Sequence, residues 1–378
     1  MRAVFWGTYD LGKPRLPILL AGLRRNGVEV IECHADPWRG VADKSQISGL
    51  GRRLGYLLRW LLAYPGLLWR YLRLERHDVV IVGYLGQIDV LLLWPLARLR
   101  GVPVVWDVLL SLYNTVVEER ALVGPRHPLA LLLYALEWLG LRAADRVVFV
   151  TRTQEEYFHR HFGLRPERTR ALFVGAETGP FPLRPRRPAP PDEAPVKVLF
   201  YGQFIPLHGA EVIVRAAQEM QGEPFEWVII GKGQEEQRIR RLLDERPVAH
   251  LTWVPWVEYE TLRDWIDGAD VCLGIFGDSD NAAMVIPNKV YQVIATGTPL
   301  ITRDAPALRE LIDGEEPGLY LVPPGDPAAL VDALRRFQRE RAALAGSDLF
   351  PELRVRITPE AMGARMVEIL TDAVNAKG

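Results

Sequence analysis

The chain has 378 residues, 46 of them basic and 47 acidic, for a formal net charge of −1, and 49% are apolar. That length exceeds what one hydrophobic core usually serves and implies two domains, while the near-neutral charge excludes a global pull toward nucleic acid or anionic lipid, leaving only local patches. Cys33 and Cys272 stand outside any CxxC or metal-ligand spacing, which excludes a disulfide scaffold and reads as two reduced core residues.

The predicted elements begin directly after Met1 with the strand-like run "RAVFW", which lacks the basic start and small-residue cleavage site of a secretory leader; a cytoplasmic protein is expected. The loop that follows, residues 6–15, carries Gly12 and Lys13, fit either to meet a phosphate or for plain turn chemistry. After "VEVIEC" comes a basic, aromatic stretch, residues 51–78, in which Arg52, Arg53, Arg59, Arg70, Arg73 and Arg76 are interleaved with leucines, Trp60 and Trp69. Pro65 and Gly66 predict a break into two short helices. Such a segment suits an interfacial helix on anionic lipid or, equally, a crossover helix with its arginines in solvent. "DVVIVG", "PVVWDV", "RVVFV" and "ALFVG" complete a first set of runs that are apolar without alternation, as strands of a parallel sheet buried on both faces must be. "HPLALLLYALEWLGL" is too short for a bilayer span and contains Glu137.

Residues 176–195, dense in proline, read as a linker. A second set of runs follows, "VKVLFYG", "EWVIIGKG", "HLTWVPW", "DVCLGIF", "TPLIT" and "GLYLVPP", alternating with helical patterns, and the chain closes on a helix opened by Thr358, Pro359 and Glu360. The expected organisation is α/β: two Rossmann-like domains facing a cleft, residues 1–175 with 358–378 and residues 196–357. Ligands in such sheets bind beyond the carboxyl ends of the strands, which singles out three further turns. "YGQFIPLHG" places Gly202 at a strand end and Gly209 at a helix start, where backbone N–H groups favour an anion. "GKGQEE" sets Gly231 and Lys232 at another strand end. Residues 276–302 hold a polar loop with Asp280 and Asn281, then Ile286 and Pro287, then Asn288 as the expected cap of a helix bearing Lys289 and Gln292. Spacings of three and four put Asn288, Lys289 and Gln292 on one face, fit to hold a diphosphate and a vicinal diol.

Together "YGQFIPLHGAEVIVRAA", "IIGKGQ", "ADVCLGIFGDSD", "IPNKVYQVIATGTPLIT" and "LVPPGDPAALVDAL" resemble, in this order, the C-terminal half of the family 4 retaining glycosyltransferases of GT-B fold, over residues 196–345. The resemblance implies transfer of a sugar from a nucleotide-diphosphate sugar to an acceptor glycan, lipid or small molecule. It implies no cofactor and no obligatory metal, with donor binding mainly in the second domain and a last helix that crosses back to the first. It places Gln203 and His208 where the family usually has an arginine and a lysine on the diphosphate, and Gln292 where it usually has a glutamate on the ribose. The family's other glutamate falls on Met284. Lys289, Lys232, Lys13 and Arg303 remain to share the charge stabilisation, with Lys289 foremost, and Asp107 becomes a candidate for orienting the acceptor hydroxyl. Ser111, Tyr113 and Asn114 just beyond it are acceptor-site candidates. Residues 51–78 would then dock the enzyme on the cytoplasmic face of a membrane. The alternatives are a GT-B protein that has lost turnover and serves as a binding or regulatory partner, and a nucleotide-sugar epimerase. No nucleic-acid partner is expected.

Overall fold

A computed structural model describes residues 1–37, 50–183, 191 and 194–377, without the side chains of residues 50, 52 and 53. The side chains of Arg52 and Arg53 in the basic stretch, and residues 184–190, 192 and 193 of the proline-rich linker, therefore lie outside what is described. The chain forms two compact units, Met1–Val174 with Pro359–Gly378, and Gly175–Thr358.

In the first unit the order is β1 (Arg2–Gly7), α1 (Arg15–Arg25), β2 (Glu29–His34), α2 (Leu50–Arg73), β3 (Val79–Val82), α3 (Gln87–Leu99), β4 (Val104–Asp107), α4 (Pro128–Ala143), β5 (Arg146–Phe149), α5 (Arg152–Phe162) and β6 (Thr169–Ala171). A π-helical turn, Asn114–Glu119, precedes α4. The strands form one parallel sheet in the order β2-β1-β3-β4-β5-β6. The central strands β3 and β4 are buried throughout, which is why their sequences show no alternation.

The second unit runs β7 (Val196–Tyr201), α6 (Ala210–Glu219), β8 (Phe225–Ile230), α7 (Glu236–Glu245), β9 (Leu251–Val254), α8 (Leu262–Gly268), β10 (Val271–Leu273), α9 (Asp280–Met284), α10 (Asn288–Thr296), β11 (Leu300–Arg303), α11 (Pro306–Arg309), β12 (Leu319–Val322), α12 (Pro327–Leu344) and α13 (Pro351–Arg356). Its sheet is again parallel, in the order β12-β11-β10-β7-β8-β9.

The last helix, α14 (Pro359–Asn375), belongs to the first unit and lies along α1. The two helices touch at glycines. A Cβ on Gly22 would stand 2.1 Å from the Pro359 carbonyl oxygen, and one on Gly363 would stand 2.2 Å from the same group of Gly22. Only residues without a side chain permit that approach.

The break expected at Pro65 is absent, and α2 is one helix from Leu50 to Arg73 with Pro65 inside it. A proline within a helix removes one hydrogen bond at a cost of about 3 kcal/mol. Here Tyr64, Leu67 and Tyr71 bury a continuous stripe across the proline, and the Trp6 indole donates to the Leu67 carbonyl at 3.4 Å. Packing outweighs the lost bond. Both cysteines are free and buried, as read from their spacing.

Candidate functional site

The turns read as ligand-facing in the second unit converge at the carboxyl ends of β7, β8, β10 and β11. Gly202, directly after β7, has φ +147°, and a Cβ on it would come within 2.9 Å of both the His208 ring and Lys289 Nζ. The glycine thus keeps open a space bounded by two side chains that can carry positive charge. Gly231, after β8, packs against the Gly202 carbonyl, and Gly209, the residue before α6, fits against the backbone of Phe276 and Gly277. Gln203 is exposed, and its carbonyl meets the His208 Nδ1, which draws the histidine back onto its own loop. Lys232 is half-buried on the adjoining turn, where its carbonyl accepts from the Phe204 N–H at 3.0 Å.

Lys289 is buried at the start of α10. Its ammonium donates to the Gly274 carbonyl at 3.3 Å and lies over the Phe200 ring, 3.9 Å from the centroid, with the Tyr201 ring 5.8 Å away. These contacts are a dipole and two aromatic faces, so burial dominates and holds the ammonium well below its usual pKa. One turn along, Gln292 is also buried: its carbonyl accepts from the Tyr201 hydroxyl at 3.1 Å and its amide donates to the Tyr259 hydroxyl at 3.3 Å. Each end of the amide keeps one donor or acceptor in reserve. Tyr259 in turn donates to the Glu177 carboxylate. Tyr201, Tyr259 and Glu177 are therefore candidate site residues that sequence reasoning missed. The tyrosine ending β7 sat in plain view beside Gly202, but Glu177 and Tyr259 join it only through space.

One expectation about this helix needs correction. Asn288 does not cap α10: Pro287 precedes the first turn with extended backbone, and no side chain caps it. Asn288 is exposed as the first residue of a helix whose other residues, Lys289 and Gln292 among them, are all buried. Before the helix, Ile286 and Met284 are buried, Asn281 is half-buried and Asp280 is exposed, with Ser279 capping α9 through the Ala282 N–H at 3.2 Å. Arg303, at the end of β11, is buried with its guanidinium on the Gly277 carbonyl and 3.4 Å from that of Ser279. It pins the polar loop from beneath.

In the first unit, Tyr9, Lys13, Arg15, Tyr84, Asp107 and Leu109 line a small cleft at the carboxyl ends of β1, β3 and β4. Lys13 lies 5.9 Å above the Tyr84 ring. Gly12 is exposed, donates to Asp10 Oδ1 at 2.9 Å and would meet little if it carried a side chain, so this glycine is a turn residue and not a site of close approach. Asp107 differs from a strand-end carboxylate open to substrate. It is buried, both its oxygens accept from Arg15 Nε at 2.8 and 2.7 Å, and Arg15 continues to the Leu172 and Phe173 carbonyls at 2.9 and 3.0 Å. Ser111 and Asn114 are likewise buried and engaged. The Ser111 hydroxyl donates to Glu137 at 2.7 Å, and the Asn114 amide donates to Glu118 at 2.6 Å. Tyr113 is half-buried with its ring edge-on to Tyr134.

Two Rossmann-like domains, each with its glycine-bounded strand ends, define the GT-B architecture, and solved structures of that class superpose on the chain. Sucrose-phosphate synthase from Thermosynechococcus elongatus does so with a TM-score of 0.72 at 18% identity over all of both chains. Anabaena Alr3699/HepE in complex with UDP-glucose does so at 0.64 and 13%, over 98% of this chain and 99% of that one. Residues 14–175 match the model of the glycosyl transferase 4-like domain and residues 195–340 that of glycosyl transferases group 1. The chain belongs to the group 1, family 4 glycosyltransferases. The D-inositol 3-phosphate glycosyltransferase of Acidothermus cellulolyticus is 30% identical over 213 residues, 51% of this chain and 46% of that protein. The chain spans less than half the length of the curated relatives it matches.

Proposed function

We propose that the chain transfers a sugar from a nucleotide-diphosphate sugar to an acceptor hydroxyl, with retention at the anomeric carbon and no obligatory metal. The observation that carries this reading is Lys289, a buried ammonium held by a carbonyl and two rings beside space that Gly202 leaves open. A buried charge is costly until an anion meets it, and a diphosphate is the anion that strand-end turns and helix N-termini accept. Membership of the family and the UDP-glucose complex of Anabaena HepE support a nucleotide-sugar donor. In this reading Lys289 and nearby backbone N–H groups stabilise the charge that builds on the departing phosphate. His208 approaches from the side, and Lys232 from the adjoining turn. Gln292 offers its reserve donor and acceptor to the ribose, oriented by Tyr201 and Tyr259. Arg303 holds the loop whose Asp280 and Asn281 meet the sugar.

The acceptor would be taken by the first unit at the cleft of Lys13, Tyr84 and Asp107, where Arg15 fixes the carboxylate's orientation, with Tyr113 at its approach. The basic, leucine-rich α2 supports an acceptor that is lipid-linked or carried at the cytoplasmic face of a membrane. A panel of uridine, guanosine and adenosine diphosphate sugars tests the donor reading. At least one should raise the melting temperature and release its nucleotide when acceptor extract is added, with EDTA leaving turnover unchanged. Stabilisation by none overturns the proposal.

A further inference from the structure

α2 carries the chain from β2 past β1 to β3, α3 from β3 to β4 and α4 from β4 to β5, all in the same direction across the first sheet, so right-handed crossovers set all three on one face. Hydrogen bonds bind them into a layer: the Tyr64 hydroxyl of α2 donates to Asp89 of α3 at 2.7 Å, and Gln87 of α3 donates to Glu137 of α4 at 3.3 Å. Asp89 and Glu137 are the only acidic residues in the three helices, and both are fully buried. The outer surface of the layer presents no carboxylate of its own.

What it presents instead is repeated on each helix: a tryptophan with the guanidinium of the arginine four residues later lying over its ring. Arg73 lies 4.1 Å from the Trp69 ring centroid, Arg98 5.7 Å from that of Trp94, and Arg142 3.7 Å from that of Trp138. The indoles are 56%, 37% and 38% exposed, and Leu61, Leu62, Leu131 and Leu132 stand exposed on the same helices. Water-facing crossover helices mix both signs of charge; this layer pairs one sign with large apolar groups.

We infer that the α2–α3–α4 layer as a whole, and not α2 alone, is a docking face for an anionic phospholipid bilayer. Leucines enter the acyl boundary and indoles lie at the headgroup level; the Arg73 and Arg98 guanidiniums keep an edge for lipid phosphate, whereas Arg142 donates to the Trp138 and Phe162 carbonyls at 3.3 and 2.8 Å and steadies its indole. No helix among the described residues is long and apolar enough to cross a membrane, so the layer lies in the interface. The inference rests on the reading of α2 as an interfacial helix and extends it to α3 and α4; it is independent of the donor.

The test is flotation of the full chain, without nucleotide, on phosphatidylcholine vesicles with and without about 30 mol% phosphatidylglycerol. The chain should float with the anionic vesicles and lose binding as salt is raised. The double variant Trp94→Ser, Trp138→Ser should bind roughly tenfold more weakly or worse, from the lost apolar area, while keeping its nucleotide-dependent thermal stabilisation. Unchanged flotation of that variant, with flotation lost in Trp69→Ser, Arg73→Gln, overturns the three-helix face and leaves α2 as the contact. Failure of the unaltered chain to float overturns both. A dimer in sedimentation that the double variant dissolves assigns the face to a second copy and overturns the proposal. Brominated acyl chains should quench the tryptophan emission of the unaltered chain; no quenching overturns insertion whatever the variants do.

Discussion

At the scale of single residues, the proposed donor site sets stability against ligand binding at Lys289. Burial depresses its pKa, so between that lowered value and the usual lysine range the unfolded chain holds a proton that the folded chain does not, and the residue's contribution to stability rises with pH. The buried ammonium is a cost that an anionic donor relieves. Replacing Lys289 with methionine should therefore raise the melting temperature of the ligand-free protein, by about 1–3 kcal/mol of stability. The same change should weaken donor affinity about 10- to 100-fold through loss of a charge-assisted bond. Thermal melts with and without the best donor read both signs at once. A merely structural lysine would give a destabilised variant with unaltered donor binding.

Asp89 offers a second residue-scale prediction, with the opposite slope. Its carboxylate is fully buried and accepts from the Thr8 N–H at 2.7 Å, the Thr8 hydroxyl at 3.1 Å and the Tyr64 hydroxyl at 2.7 Å. Burial outweighs those donors and pushes its pKa up to about 6. Between the ordinary carboxylate range and that value the folded chain holds the extra proton, so the contribution to stability falls as pH rises from about 4 to 6. Urea midpoints of the unaltered chain and Asp89→Asn, measured at both ends of that window, should converge or cross toward the higher pH. Parallel pH profiles would assign the carboxylate an ordinary pKa.

At the scale of elements, α1 and α14 depend on contact at Gly22 and Gly363. Gly22→Val would drive side-chain carbon into the Pro359 carbonyl and the Gly363 backbone, which should cost about 1–3 kcal/mol as overpacking. A denaturation midpoint unchanged by the substitution would mean that the two helices separate freely. The strand segments on which these helices pack were legible in the sequence, because strands buried on both faces read as unbroken apolar runs. So was the last helix, from Pro359 after Thr358. What stayed illegible depends on partners distant in the chain. Pro65 read as a break because the burial of Tyr64, Leu67 and Tyr71 across it is a tertiary fact. Asp107 read as open to substrate because Arg15 lies 92 positions away. Lys289 and Gln292 were legible from their spacing, but the tyrosines and Glu177 that hold Gln292 were not, since hydrogen bonds over 33 and 82 positions leave no local pattern.

At the scale of the whole molecule, each unit carries its own six-stranded parallel sheet and its own buried core. Donor binding in the second unit should act first on that core. A ligand at 100 times its dissociation constant adds about 2.7 kcal/mol to the state it binds, while Gly22→Val weakens the first unit. Scanning calorimetry should therefore resolve two contributions to unfolding, of which the nucleotide-sugar raises one and Gly22→Val lowers the other. At the same donor concentration Lys289→Met should cut the nucleotide-dependent rise to about 0.4–1.4 kcal/mol, without moving the contribution that Gly22→Val lowers. A single transition shifted by both perturbations would mean that the units unfold as one, and the donor's stabilisation would then be shared by residues that it never touches.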